Sequence, residues 1–201
     1  MHEPFGLVAV NTGPMAVKWR KLQPAIRLER QVLVLCRTDA AACPPAATRF
    51  LAIIDAATAA DGRARIGAIN RAVNLAIRPQ SDPARFGVPD VWSTPLMTFA
   101  AGAGDCEDYA IAKYVALRDA GIADEDLRLV ILHDRRLNED HAVVAARTEG
   151  EWLILDNRHM SLLTDTQLDH VTPLLALDDG AAGPRGIAGR MPIAGAFLAS
   201  R

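Results

Sequence analysis

The chain has no apolar run approaching the ~20 residues that a membrane span needs. It also lacks basic clusters. Its 22 Lys and Arg face 24 Asp and Glu, a formal net charge of −2, and no stripe of cations stands out. Nucleic-acid binding through counterion release is therefore set aside. Lysine is scarce, confined to Lys18, Lys21 and Lys113. Cysteine is scarce as well, at positions 36, 43 and 106, with no second ligand pair at the spacing of a structural zinc site. The start, Met1-His2-Glu3-Pro4-Phe5-Gly6, lacks a basic segment followed by a long apolar one. That leaves open a cytoplasmic protein or an exported one shown without its signal. The chain does have core material: 50% hydrophobic against 23% charged over 201 residues suits one globular domain and excludes a disordered chain.

Residues 1–30 read as an irregular lead-in. Residues 32–35, Val-Leu-Val-Leu, read as a strand-like run into Cys36, followed by a polar loop and Cys43-Pro44-Pro45. This spacing permits a local disulfide and equally two unpaired thiols. A helix is predicted over 44–60 after the prolines. Another is predicted over 63–77, where Ile66, Ile69, Val73 and Ile77 recur at helical spacing. Pro79, Asp82, Pro83, Gly87 and Pro89 punctuate a loop up to Thr94-Pro95. A further helix is predicted over 105–120, closed by Gly121. The period then changes. Residues 127–132, 141–146 and 152–155 read as strands, the last two joined at Glu149-Gly150 as a hairpin. Helices followed by an antiparallel sheet make an α+β fold. The tail, 178–201, holds five glycines and reads as loosely packed. The expected organisation is thus a segment 1–30, a domain 31–177 and a flexible tail.

The chemistry concentrates in Gly102-Ala103-Gly104-Asp105-Cys106-Glu107-Asp108-Tyr109-Ala110. Small residues lead straight into a helix, with Cys106 in its first turn. A helix N-terminus carries about half a positive charge, which favours a thiolate, and its free N–H groups can receive an oxyanion. The same residues also suit an inert buried cysteine, with Asp105 as a helix cap. The hairpin supplies a base: His141 opens one strand and Asp156 closes the next. One register makes them direct cross-strand partners, and a register shifted by two makes them diagonal neighbours on one face. In either, Asp156 can accept from the imidazole and fix its tautomer.

The Gly104–Ala110 block, Asp140-His141-Ala142-Val143 and Leu155-Asp156-Asn157 together resemble the bacterial transglutaminase-like cysteine proteinases of the LapG type, whose best-known members are periplasmic proteases that clip large biofilm adhesins. The likeness runs over residues 32–177 and includes Cys36 with Cys43 and the approach through Trp92. It implies a papain-like, transglutaminase-like fold, with Cys106 as nucleophile, His141 as general base and acid, and Asp156 as orienting carboxylate. It implies a calcium ion beside the site on Asp105 and Glu107, with Asp108 either joining them or facing solvent, and a disulfide between Cys36 and Cys43. It also implies a periplasmic location, cleavage near an Ala-Ala pair of a repeat-rich adhesin, and sequestration by a membrane-bound cyclic-di-GMP receptor. Trp92 is considered as lining the cleft and equally as core. His133, His159 and His170 have no evident partner, and Asn157 either supports Asp156 or ends the strand. Two rivals stay open: the same triad passing its acyl group to an amine, as a transglutaminase or amidase would, and a non-catalytic binding module.

Overall fold

The structure is a computed structural model that describes residues 3–9, 13–178 and 185–186. Six α-helices are described: α1 Pro14–Thr38, α2 Pro45–Thr58, α3 Gly62–Ala76, α4 Asp82–Phe86, α5 Pro95–Ala101 and α6 Cys106–Asp119. The strands are β1 Val8–Ala9, β2 Arg78–Pro79, β3 Ala103–Gly104, β4 Leu127–Asp134, β5 Glu139–Thr148, β6 Glu151–Leu155, β7 Leu163–Thr164, β8 Val171–Leu177 and β9 Arg185–Gly186. No described helix is long and apolar enough to cross a membrane.

The sheet runs β1-β9-β8-β4-β5-β6-β7, antiparallel throughout. Alternation assigns its two faces. Leu129 and Ile131 of β4, with Ala142, Val144 and Ala146 of β5, join the helices in the larger core cluster. Val130, Leu132, Val143, Ala145, Trp152 and Ile154 form the second cluster on the opposite face. There the guanidiniums of Arg128 and Arg147 lie 5.5 and 5.2 Å from the Trp152 ring centroid.

Helix α6 is the centre of the molecule. Every residue from Glu107 to Leu117 is buried, as expected of a helix packed all round. It touches β4 and β5 on the sheet and α2, α3 and α5 among the helices. It ends in a Schellman motif, Ile122 N–H to the Leu117 carbonyl and Gly121 N–H to that of Arg118, each 3.0 Å.

The lead-in is corrected: from Pro14 onward it is α1, which runs unbroken through the expected boundary at residue 30. The strand-like run 32–35 belongs to this helix too. Ala16, Trp19, Ile26, Leu33 and Cys36 lie on its buried face, whereas Val34 and Leu35 are 63% and 66% exposed. Four consecutive apolar residues imitate a strand, and only the longer period reveals the helix. Trp19 packs edge-on to Tyr114 of α6 at 5.2 Å, and its Nε1 donates to the carbonyl of Asp178 at 3.0 Å. A disulfide joins Cys36 to Cys43 and ties the end of α1 to the start of α2. The tail lies outside the described residues except Asp178 and Arg185–Gly186, which pairs with β8.

Candidate active site

The hairpin fixes one half of the site. Val144 opposes Leu155 and Thr148 opposes Glu151, so Glu149 and Gly150 alone make the turn, with φ of 52° and 83°. Two left-handed residues in succession give the turn that suits the twist of paired strands, and glycine takes the second position without strain. Continuing this register sets Asp156 opposite Val143, so the shifted register holds and His141 is its diagonal neighbour. His141 Nε2 lies 2.8 Å from Asp156 Oδ1, and both residues are buried. The same oxygen accepts the Arg158 N–H at 2.9 Å, and Asn74 of α3 holds the Asp156 carbonyl at 3.0 Å. Burial alone would raise the Asp156 carboxyl, but the hydrogen bond and charge of His141 bring it down to about 2. The other ring nitrogen, Nδ1, is buried and has no hydrogen-bond partner. The pair opens onto a cavity of about 290 Å³ that Leu132, Asp134, Leu137 and Arg158 also line.

The head of α6 fixes the other half. β3 pairs parallel with β2 and delivers Asp105 as the N-cap residue of α6, although its side chain makes no capping hydrogen bond. Cys106 is half-buried, and the backbone N–H of Ala142, next to His141, points at its sulfur. Cys106 and His141 are not hydrogen-bonded. The thiol donates instead to Glu107 Oε2 at 3.2 Å. Burial, then the Glu107 charge, pushes the thiol well above its ordinary value.

Asp108 does not face solvent. It is fully buried, accepts the Ser93 N–H at 2.9 Å and pairs with Arg85 of α4. This anchor needs Gly104, because a Cβ there would lie 2.7 Å from both the Cβ and Oδ2 of Asp108.

A third acidic residue, which the sequence offers only as loop punctuation, joins Asp105 and Glu107. Asp82 opens α4, and one ligand atom from each of the three residues lies within 4.8 Å of the others. Asp82 Oδ1, Asp105 Oδ1 and Glu107 Oε1 are buried without hydrogen-bond partners. Burial, then the charges of Asp108 and Asp82, raises Asp105 to about 7. Burial, then Asp105, pushes Glu107 well up. Oxygen ligands about 2.4 Å from a calcium ion stand at most about 4.8 Å apart, so the donor set fits one hard cation. Nothing local to Asp82 signals this placement; the fold of the 78–104 segment brings it beside Asp105 and Glu107.

His159 and His170 line the same cavity as His141 and Asp156. Trp92, considered for the cleft, belongs to the main core cluster, with Nε1 donating to Asp90 at 3.1 Å. His133 Nδ1 meets Asp140 Oδ1 at 2.8 Å, and His170 lies 3.5 Å from Asp169, so both have partners after all. The His159 carbonyl accepts from Asn70 and Asn74 at 3.0 Å each. Asn157 Oδ1 is buried without a partner and makes no described hydrogen bond to Asp156.

No curated protein sequence matches the chain significantly. Among solved structures, Legionella pneumophila LapG is similar, with 24% identity over 80% of this chain and 87% of that one, at a TM-score of 0.63. Its calcium-bound form gives 25% identity over 81% and 90%, at a TM-score of 0.64, and its EGTA-treated form 24% over 80% and 86%, at 0.63. The family description of the bacterial transglutaminase-like cysteine proteinases matches residues 30–171, and the chain belongs to that family.

Proposed function

We propose that this protein is a calcium-dependent cysteine endopeptidase of the periplasm that cuts a large cell-surface adhesin near an Ala-Ala pair and so controls biofilm attachment. Family and fold support a LapG-like cysteine protease. What supports the reading is the hydrogen-bonded His141–Asp156 pair, together with the backbone N–H of Ala142, the residue after His141, acting on the Cys106 thiol at the head of α6.

The pairing of Nε2 with Asp156 assigns each nitrogen a role. With Nε2–H donated to the carboxylate, Nδ1 is left with its lone pair and takes the proton of Cys106. The thiolate attacks the peptide carbonyl, and free N–H groups at the start of α6 receive the oxyanion. Nδ1–H then protonates the leaving amine as the C–N bond breaks. Water attacks the acyl-enzyme, giving its proton to Nδ1, and the acid departs as the thiol re-forms. Asp82, Asp105 and Glu107 would hold the calcium ion. Bound there, it supplies positive charge that offsets the burial and mutual repulsion of three carboxylates beside the thiol. The resemblance alone supports the adhesin, the periplasm and a membrane cyclic-di-GMP receptor as the sequestering partner.

The test is cleavage of an adhesin fragment containing an Ala-Ala pair, followed by mass spectrometry. Two new chain ends are expected from the native protein, and none from Cys106→Ala or after calcium chelation. Undiminished cleavage by Cys106→Ala would overturn the nucleophile, and undiminished cleavage in chelator would overturn the metal.

A further inference from the structure

A groove lies between α1, α2 and the last residues of α6, at the other end of that helix from Cys106. Its volume is about 730 Å³, larger than the cavity of about 290 Å³ beside the His141–Asp156 pair and within the range of ligand-binding clefts. Buried Leu33 and Ile54 line it together with Val34 and Leu35, which are exposed and take no part in the core. A lone exposed apolar side chain is ordinary, but adjacent ones within a concave surface mark a place of contact. The guanidiniums of Arg27, Arg30, Arg37 and Arg118 line the same groove against one carboxylate, Asp119. Arg30 pairs with Asp119 and Arg37 with Asp55, each at 2.6 Å. Even with Asp55 counted, cations outnumber carboxylates by two around the groove, in a chain whose net charge is −2. The Cys36–Cys43 disulfide fixes the end of the α1 wall, so little ordering is left for a ligand to impose.

We propose that this groove docks an acidic amphipathic helix of about three turns from a partner protein. The reading is independent of the protease chemistry and goes beyond it. The length follows from the wall: Arg27 and Arg37 stand ten residues apart on α1, which is about 15 Å or three turns. The helical form follows from the lining, which comes entirely from α1, α2 and α6. No strand edge is offered for an extended peptide to pair with, whereas apolar side chains three and four residues apart on a helix would meet Leu33, Val34, Leu35 and Ile54. The acidity follows from the rim, where carboxylates flanking those apolar side chains would find guanidinium forks. Charge sets aside two nearer occupants. A second copy presenting the same face would set arginines against arginines. The chain's own residues 180–201 hold three arginines and no aspartate or glutamate. Arg118 follows Cys106 by twelve residues along α6, about 18 Å, so a partner held here leaves the thiol uncovered. The groove places the protein beside its partner; it does not block the site.

The experiment is fluorescence anisotropy with the full, disulfide-intact chain and a labelled synthetic helical peptide of about twelve residues, with leucine at every third or fourth position and glutamate elsewhere. Replacing each glutamate of the peptide by lysine is expected to weaken binding at least about tenfold, and equal binding of the two peptides would overturn the proposal. Val34→Asp puts a carboxylate among the apolar side chains and is expected to weaken the glutamate peptide at least about tenfold. Arg27→Glu is expected to weaken it about threefold or more and to flatten its salt dependence. Both side chains are exposed, so both variants keep the fold, which circular dichroism checks. No binding of the glutamate peptide, or binding that either variant leaves unchanged, would overturn the proposal. Co-sedimentation with phosphatidylglycerol vesicles in place of peptide binding would overturn it in favour of a lipid surface. None of these readouts needs calcium, substrate or the thiol, so each stands apart from the cleavage test.

Discussion

Gly104→Ala should disable the site from beneath, without touching any reacting atom. The new Cβ would sit 2.7 Å from the Cβ and Oδ2 of Asp108, too close to persist. Asp108 cannot yield freely, because it is fully buried between the Ser93 N–H and Arg85. Overpacking of this kind costs about 1–3 kcal/mol. Displacing one hydrogen bond to a buried charge adds about 1.5–3 kcal/mol. A loss of about 2.5–6 kcal/mol is expected against a total of ~5–15 kcal/mol for an ordinary domain. Asp105 and Cys106 follow immediately in the chain, so the thiol should also be displaced. Gly102→Ala is the control: its φ is 61° and nothing lies within 4 Å of the added carbon, so only backbone strain of about 1 kcal/mol is expected. Urea unfolding followed by circular dichroism measures both, and iodoacetamide alkylation reports the environment of Cys106. If Gly104→Ala loses no more stability than Gly102→Ala, the contact with Asp108 is not the constraint described here.

Asp156→Asn should reduce cleavage by at least about a hundredfold through loss of the ring tautomer. Because the folded carboxyl is lowered from 3.8 to about 2, its stabilisation is present above the unfolded value and lost as pH falls through the folded one. Unfolding free energies should therefore show the native protein's advantage over Asp156→Asn, about 2 kcal/mol at neutral pH, shrinking between about pH 4 and pH 2; an advantage independent of pH would refute this. Asp82→Asn should weaken calcium binding roughly tenfold or more in titration calorimetry, and an unchanged affinity would remove Asp82 from the ligand set. Replacing both Cys36 and Cys43 by Ala opens a loop of sequence separation 7 and should lower stability by about 2 kcal/mol, seen as a lower urea midpoint at unchanged slope, with cleavage retained.

The legible parts of this sequence were those whose signal is local. The three- and four-residue recurrence of Ile66, Ile69, Val73 and Ile77, the prolines at the start of α2, and the turn at Glu149-Gly150 each announce an element within a few residues. The hairpin even constrained the approach of His141 to Asp156, leaving the choice between two registers to the structure. What stayed hidden depends on distant segments. Helix α1 was masked because its most apolar stretch, 32–35, contributes only one buried side chain. Strand β8 was missed because Pro173 interrupts its pattern, and the structure accommodates that proline at a register shift opposite Ile131 and Leu132. Asp82 reads as turn punctuation until α4 folds back on α6. Lys113 looks like an ordinary helical lysine until the helix proves to be buried on every side.

The hairpin has a consequence for how this protein can evolve. Its tip is exposed and chemically undemanding apart from one glycine, the sort of place where sequences usually drift in length as well as in composition. Here the hydrogen-bonded His141 and Asp156 hang from its arms, and pleating alternates sides at every residue. One codon gained or lost within either arm would turn the imidazole and its carboxylate to opposite sides of the sheet. Substitutions along these arms should survive selection far more often than single-residue insertions or deletions. A deletion scan of the two strands would show that asymmetry directly.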